Sequence, residues 1–206
     1  MNILRKGILV KLLILVTALT VFGQTEKPVK LDVKNTSDED LILKFGSSNC
    51  QESTKATIEL FRKGEKSIPL LMKLKNNKSI STASCLGGYF GADFIIDGVG
   101  GESSEDGSAV TVDVAALYLI SAIYYDNLAF ANLPYLIGSE PVTDFQYNTP
   151  ERVEEAWKAT EKWYKKLEKD GLPKLREDKE FPLKSTDLKF YGTNPQRKRD
   201  SLSCEQ

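Results

Sequence analysis

Carboxylates without histidine set the chemistry open to this chain. Asp93, Asp97, Glu102 and Asp113 are the acids placed among apolar residues. Two such acids facing each other across a cleft at roughly 5–9.5 Å can hydrolyse a glycosidic bond, one protonating the leaving oxygen while the other serves as nucleophile or base. Asp93, Asp97, Glu102, Glu105 and Asp106 also form an acidic set of the kind that gathers calcium. An EF-hand type loop starting at Asp97 would, however, need oxygen ligands where Val99 and Gly101 stand. The same 86–108 segment carries Gly87, Gly88, Gly91, Gly98, Gly100, Gly101 and Gly107 around Tyr89, Phe90, Phe94, Ile95 and Ile96. Glycine-rich loops cradle phosphates, but no Lys-Ser/Thr follows Gly100-Gly101, and the order fits neither a phosphate-binding loop nor the dinucleotide fingerprint. The absence of histidine from the whole sequence removes a Ser-His-Asp triad, a Cys-His dyad, a His-Glu-x-x-His zinc site and histidine-ligated haem. We therefore expect no catalytic residue, no cofactor and no metal site, with Phe94, Ile95 and Ile96 tucked inward and 102–108 a solvated tip.

The remaining reactive side chains are Cys50, Cys85 and Cys204. In an oxidising compartment a Cys50–Cys85 disulfide would brace the segment between them and leave Cys204 over, although spacing alone does not separate this pairing from others. An address for such a compartment stands at the N-terminus. Arg5, Lys6 and Lys11 precede an apolar run over 12–22 that is too short to span a bilayer comfortably, followed by Gly23, Gln24 and polar residues. That is the layout of a secretory signal peptide, with cleavage expected between Gly23 and Gln24. The product is expected outside the cytoplasm, periplasmic or secreted, with no stable membrane span after signal removal. Its 28 basic and 29 acidic side chains are mixed along the chain and leave a net charge of −1, so no field is built for nucleic acid.

The elements that must position these residues centre on 111–126. There Leu117, Tyr118, Leu119, Ile120 and Ile123 alternate with the small Ala115, Ala116, Ser121 and Ala122. The pattern predicts a buried central helix with Thr111 as its cap, Asp113 in its first turn and a stop near Asp126-Asn127. Farther along, Thr149 and Pro150 open a second strong helix, acid-loaded at its start, lysine-loaded at its end and closed by Gly171. Its Val153, Ala156, Trp157, Thr160, Trp163, Tyr164 and Leu167 recur every three or four residues. A tryptophan stripe can stack a carbohydrate, but on an amphipathic helix it is expected to be core. Glu154 with Lys158 and Glu161 with Lys165 should form surface pairs.

Upstream, 28–35 alternates with period two and suits a short strand or an extended lead-in. Ser37 opens a two-turn helix with Asp40 as capping-box partner and Gly46 as its stop. A helix over 50–63 ends at Gly64, and a second over 65–75 carries Pro69 in its early turns, giving an antiparallel pair. The run IELFRKGEKSIPLLMKLK resembles the turn and second helix of a HEAT-type unit, a glycine turn followed by an isoleucine-proline-leucine step. The resemblance covers residues 52–75, and no second copy occurs at the ~40-residue period of a solenoid. It implies a helical hairpin that packs sideways and a protein-binding role, and no activity. Residues 79–84 and 109–112 are β-prone and predict a minor strand pair beside the central helix. The connector 131–138 should pack on the core, 172–191 should wrap back over it, and 192–206 should be a disordered tail.

The fold expected is mainly α: a signal peptide over 1–23, one helical domain over 24–191 and a tail. The function expected is an exported, non-catalytic domain that binds another protein, such as an inhibitor or immunity-type factor. The alternative is a carboxylate-based hydrolase or carbohydrate-binding module, in which Asp93, Asp97 or Glu102 shares a cleft with exposed Trp157, Trp163 or Tyr89.

Overall fold

The computed structural model describes residues 36–81, 110–139 and 147–196, which apart from Thr36 belong to one compact unit, Ser37–Gln206. The 1–23 address, the 28–35 alternation, the 86–108 segment, Cys85, Phe145 and Cys204 lie outside the described residues. The unit is mainly helical, and the strands among the described residues are short.

Helix α1 (Asp38–Phe45) begins as the sequence indicates, the Ser37 hydroxyl oxygen accepting from the Asp40 amide at 3.1 Å. Asp40 does not close a capping box. Its carboxylate takes Lys44 Nζ at 2.7 Å one turn on, and an aspartate is one methylene short of the Glu or Gln that reaches back in that motif. Helix α2 (Cys50–Lys63) is capped by Asn49, whose side-chain oxygen accepts from the Gln51 and Glu52 amides at 3.0 and 3.2 Å. It stops at Gly64, whose φ of +60° suits a residue without Cβ.

The helix expected over 65–75 is shorter. A 3-10 turn fills Gly64–Ser67 and α3 runs only over Ile68–Met72. Ser67 Oγ folds back on the Leu60 and Gly64 carbonyls, each at 2.8 Å, which holds the tight turn. Pro69 has no amide to give and so sits in the first turn of α3. The hairpin therefore exists, with one long arm and one short.

Helix α4 (Val112–Tyr125) is the centre, with residues 112–124 all buried and α2, α3 and α5 packed around it. A helix apolar on every side is stable only when covered on every side. Thr111 occupies the cap position, yet its hydroxyl does not cap; it donates to the Asp113 carboxylate. Asp126 ends α4 in the left-handed conformation, φ +52°. The Arg176 guanidinium then donates to the Ile123 and Tyr124 carbonyls at 2.6 and 2.7 Å, satisfying the orphan acceptors at the negative end of the helix.

Helix α5 (Pro150–Glu177) opens at Thr149, whose hydroxyl accepts from the Arg152 amide at 3.4 Å. Gly171 leaves helical geometry at φ +75° as the sequence indicates, but the chain resumes helix past Pro173 to Glu177 after the kink. Glu65 Oε2 accepts from the Leu172 amide at 3.4 Å and so caps that last piece from the hairpin. Glu154 pairs with Lys158 at 2.7 Å, whereas Glu161 pairs with Lys75 at 2.5 Å rather than with Lys165.

Of the β element expected beside α4, the described residues show an antiparallel bridge, Ile80 to Thr111, while 82–84 and 109 lie outside them. A second pairing was not legible in the sequence. Strand β1 (Leu136–Ile137) lies antiparallel to β2 (Lys189–Phe190), Leu136 opposite Phe190, and so fastens the C-terminal wrap. Residues 192–196, expected within the loose tail, are held instead. The Asn194 amide donates to the Phe130 carbonyl at 2.6 Å and the Thr193 amide to the Phe190 carbonyl at 3.1 Å.

Candidate functional site

Of the four carboxylates that could carry glycosidic hydrolysis, Asp113 is described and Asp93, Asp97 and Glu102 lie outside the described residues. Asp113 is fully buried at the start of α4. One oxygen accepts from Lys78 Nζ at 2.7 Å; the other accepts from the Thr111 hydroxyl and from the Val114 amide at 2.9 Å. The carboxylate thus neutralises the positive end of α4 and ties the 78–81 segment to it. That is work inside the fold, with its oxygens already committed.

The aromatic stripe of α5 lies in the core, Trp157 and Trp163 being 1 and 3 % exposed. Neither ring can serve as a stacking platform, so the carbohydrate reading keeps only Tyr89, outside the described residues. The two indoles differ in one respect. Trp163 Nε1 donates to the Glu180 carbonyl at 2.8 Å, whereas Trp157 Nε1 is buried without a hydrogen-bond partner among the described residues. Replacing each by phenylalanine removes similar volume, but only Trp163→Phe loses a bond, and Trp157→Phe also relieves an unpaired donor. Trp163→Phe is therefore expected to cost about 1–2 kcal/mol more than Trp157→Phe in denaturant unfolding. Equal losses would mean that the two indoles are equally well satisfied.

Glu180 is clamped by Lys166 at 2.7 Å and Lys184 at 2.5 Å on its two oxygens. Hydrogen bonds from Lys166 and then Lys184 pull its carboxyl from the ordinary 4.5 down to about 2. Because the folded value is depressed, the clamp contributes fully above pH 4.5 and is lost as the pH falls through about 2. A carboxyl-carbon NMR titration should give Glu180 a midpoint near 2, and Lys166→Met with Lys184→Met should return it toward 4.5. Trp163, held by the carbonyl of the same residue, should change its emission within that window. A midpoint at the ordinary value in the parent chain would show that the lysines do not close on Glu180 in solution.

One cavity, of about 230 Å³, opens where the C-terminal wrap crosses α4. Its walls include the rings of Tyr125, Phe130, Phe181 and Phe190, with Ser121 on the α4 side. Those rings brace one another: Tyr125 stacks on Phe130 at 5.2 Å, and Phe130 meets Phe190 edge-on at 5.8 Å. Tyr118 locks the arrangement, its ring 4.9 Å from Phe130 and its hydroxyl donating to the Leu128 and Ala131 carbonyls at 2.8 and 3.0 Å. Burial pushes the Tyr125 phenol up to about 12, so it stays protonated at neutral pH and is no base. Sequence reasoning missed this place because its walls come from residues up to 72 positions apart, 121 to 193, none of them in a motif.

Cys50 is in a disulfide; Cys85 and Cys204, the other cysteines, lie outside the described residues. Among the described residues no cluster of three or more acids or cysteines could hold a metal ion, and no helix is long and apolar enough to cross a membrane. Compared with known protein families, curated proteins and solved structures, the chain finds no match.

Proposed function

We propose that the chain is an exported, non-catalytic helical domain that acts by binding another protein, in the manner of an inhibitor or immunity-type factor. The observation that carries this reading is the placement of Asp113, which holds up α4 with both oxygens committed inside the fold. The interior tryptophans point the same way: of the residues that suggested chemistry, the described ones, Asp113, Trp157 and Trp163, are spent on structure. The face to test first is the α1–α2 side, where Leu43 is 74 % exposed between the buried Leu41 and Phe45. A tagged chain starting at Gln24 should retain one protein from a periplasmic or secreted extract in the presence of salt, and Leu43→Glu should release it. Retention of nothing at any salt, or equal retention by Leu43→Glu, would count against a protein partner on this face.

Export and the Cys50–Cys85 pairing belong to the same proposal. Exported material should begin at Gln24 by N-terminal sequencing, and non-reducing peptide mapping should link Cys50 to Cys85 with Cys204 free. A chain that starts at Met1, or a Cys50–Cys204 link, would remove those parts of it.

A further inference from the structure

We infer that the cavity between α4 and the C-terminal wrap is a binding site for a single small aromatic molecule bearing a hydrogen-bond donor, of the phenol or indole kind. An enclosed apolar cavity of roughly 150 Å³ accepts benzene, and the cavity here, half open to solvent, can admit a ligand of that kind from its open side. The cavity here is about 230 Å³, room for one ring or a fused pair. Four aromatic rings, those of Tyr125, Phe130, Phe181 and Phe190, stand in its wall, so a flat apolar body matches it in shape and in dispersion contacts.

Asp187 and Lys189 also line the cavity but are exposed, so the less exposed hydroxyls set the polar half of the ligand. Ser121 Oγ donates to the Leu117 carbonyl at 3.0 Å, Thr186 Oγ1 to the Leu183 carbonyl at 2.9 Å and Thr193 Oγ1 to the Phe190 carbonyl at 2.6 Å. Thr186 Oγ1 also accepts from the Leu188 amide at 3.2 Å. Each of these protons is committed to the backbone, so what Ser121 and Thr193 retain is lone pairs. A ligand that brings an O–H or N–H to them gains a bond, whereas one that brings only an acceptor meets no free hydroxyl proton. The site is independent of the protein-binding reading, and either can fail without the other.

The test uses the full chain with phenol, indole and toluene as probes, titrated by saturation-transfer NMR and calorimetry. Phenol and indole should bind saturably with Kd below about 1 mM, and toluene, lacking a donor, about tenfold more weakly. Ser121→Ala removes an acceptor and should bring phenol toward the toluene affinity while leaving toluene unchanged. Ser121→Leu fills the space and should abolish binding of all three; if its thermal transition shows that it does not fold, Thr193→Leu at the other wall takes its place. The inference is overturned if no probe saturates up to about 5 mM, or if a folded cavity-filling variant binds as the parent does. Equal affinities for phenol and toluene would overturn the donor requirement.

Discussion

Ile120→Ala should lower the stability of the chain by about 3–4 kcal/mol in urea unfolding, while Leu43→Ala on α1 changes it by less than about 0.5 kcal/mol. Ile120 is 0 % exposed and Leu43 74 %, and both sit within helices, so backbone propensity does not explain the difference. Truncating Ile120 removes buried methyl and methylene groups from the one helix against which α2, α3 and α5 all pack. Those three cannot all close on the space left. The lost transfer free energy and the residual cavity then add. A loss for Ile120→Ala as small as that for Leu43→Ala would place α4 at a surface.

Asp113→Ala should come next in size, about 3 kcal/mol, with Asp113→Asn nearer 1–2 kcal/mol. The carboxylate is 0 % exposed. Alanine abandons the Thr111 hydroxyl and the Val114 amide together with Lys78, and leaves the positive end of α4 without its anion. Asparagine keeps an oxygen for the amide and the hydroxyl but loses the charge that Lys78 answers. The Lys78 side chain is 59 % exposed, so its ammonium returns to water and adds little to the loss. Urea unfolding with unchanged m-values should order the three as parent, Asp113→Asn, Asp113→Ala. If alanine and asparagine cost the same, charge rather than hydrogen bonding accounts for the role of Asp113.

What the sequence disclosed follows the range of the forces involved. The centre of the fold was legible because its determinants are local: a run from Val112 to Ile123 with no charge but Asp113, and caps at Ser37, Thr149 and Pro150 within three residues of the amides they serve or leave free. The tryptophan stripe of α5 was legible for the same reason. The pairing of Leu136–Ile137 with Lys189–Phe190 was not, since two residues on each side carry too little pattern to select a partner some fifty positions away. Nor was the Lys78–Asp113 pair, which tertiary closure assembles across a separation of 35 residues. The α3 helix was overestimated because Leu74 stays buried after the helix has ended, and burial alone reads as helix in a one-dimensional pattern. Thr111 has the residue type and position of a cap, but its hydroxyl finds the nearer Asp113 carboxylate instead.

Hydrogen exchange followed by mass spectrometry on the folded chain tests the central position of α4 most directly. Amides of residues 115–124 should be the slowest in the molecule and should exchange only with global unfolding, at a free energy equal to that from urea, while those of α1 open earlier. Exchange of 115–124 as fast as that of α1 would contradict a fold built around this helix.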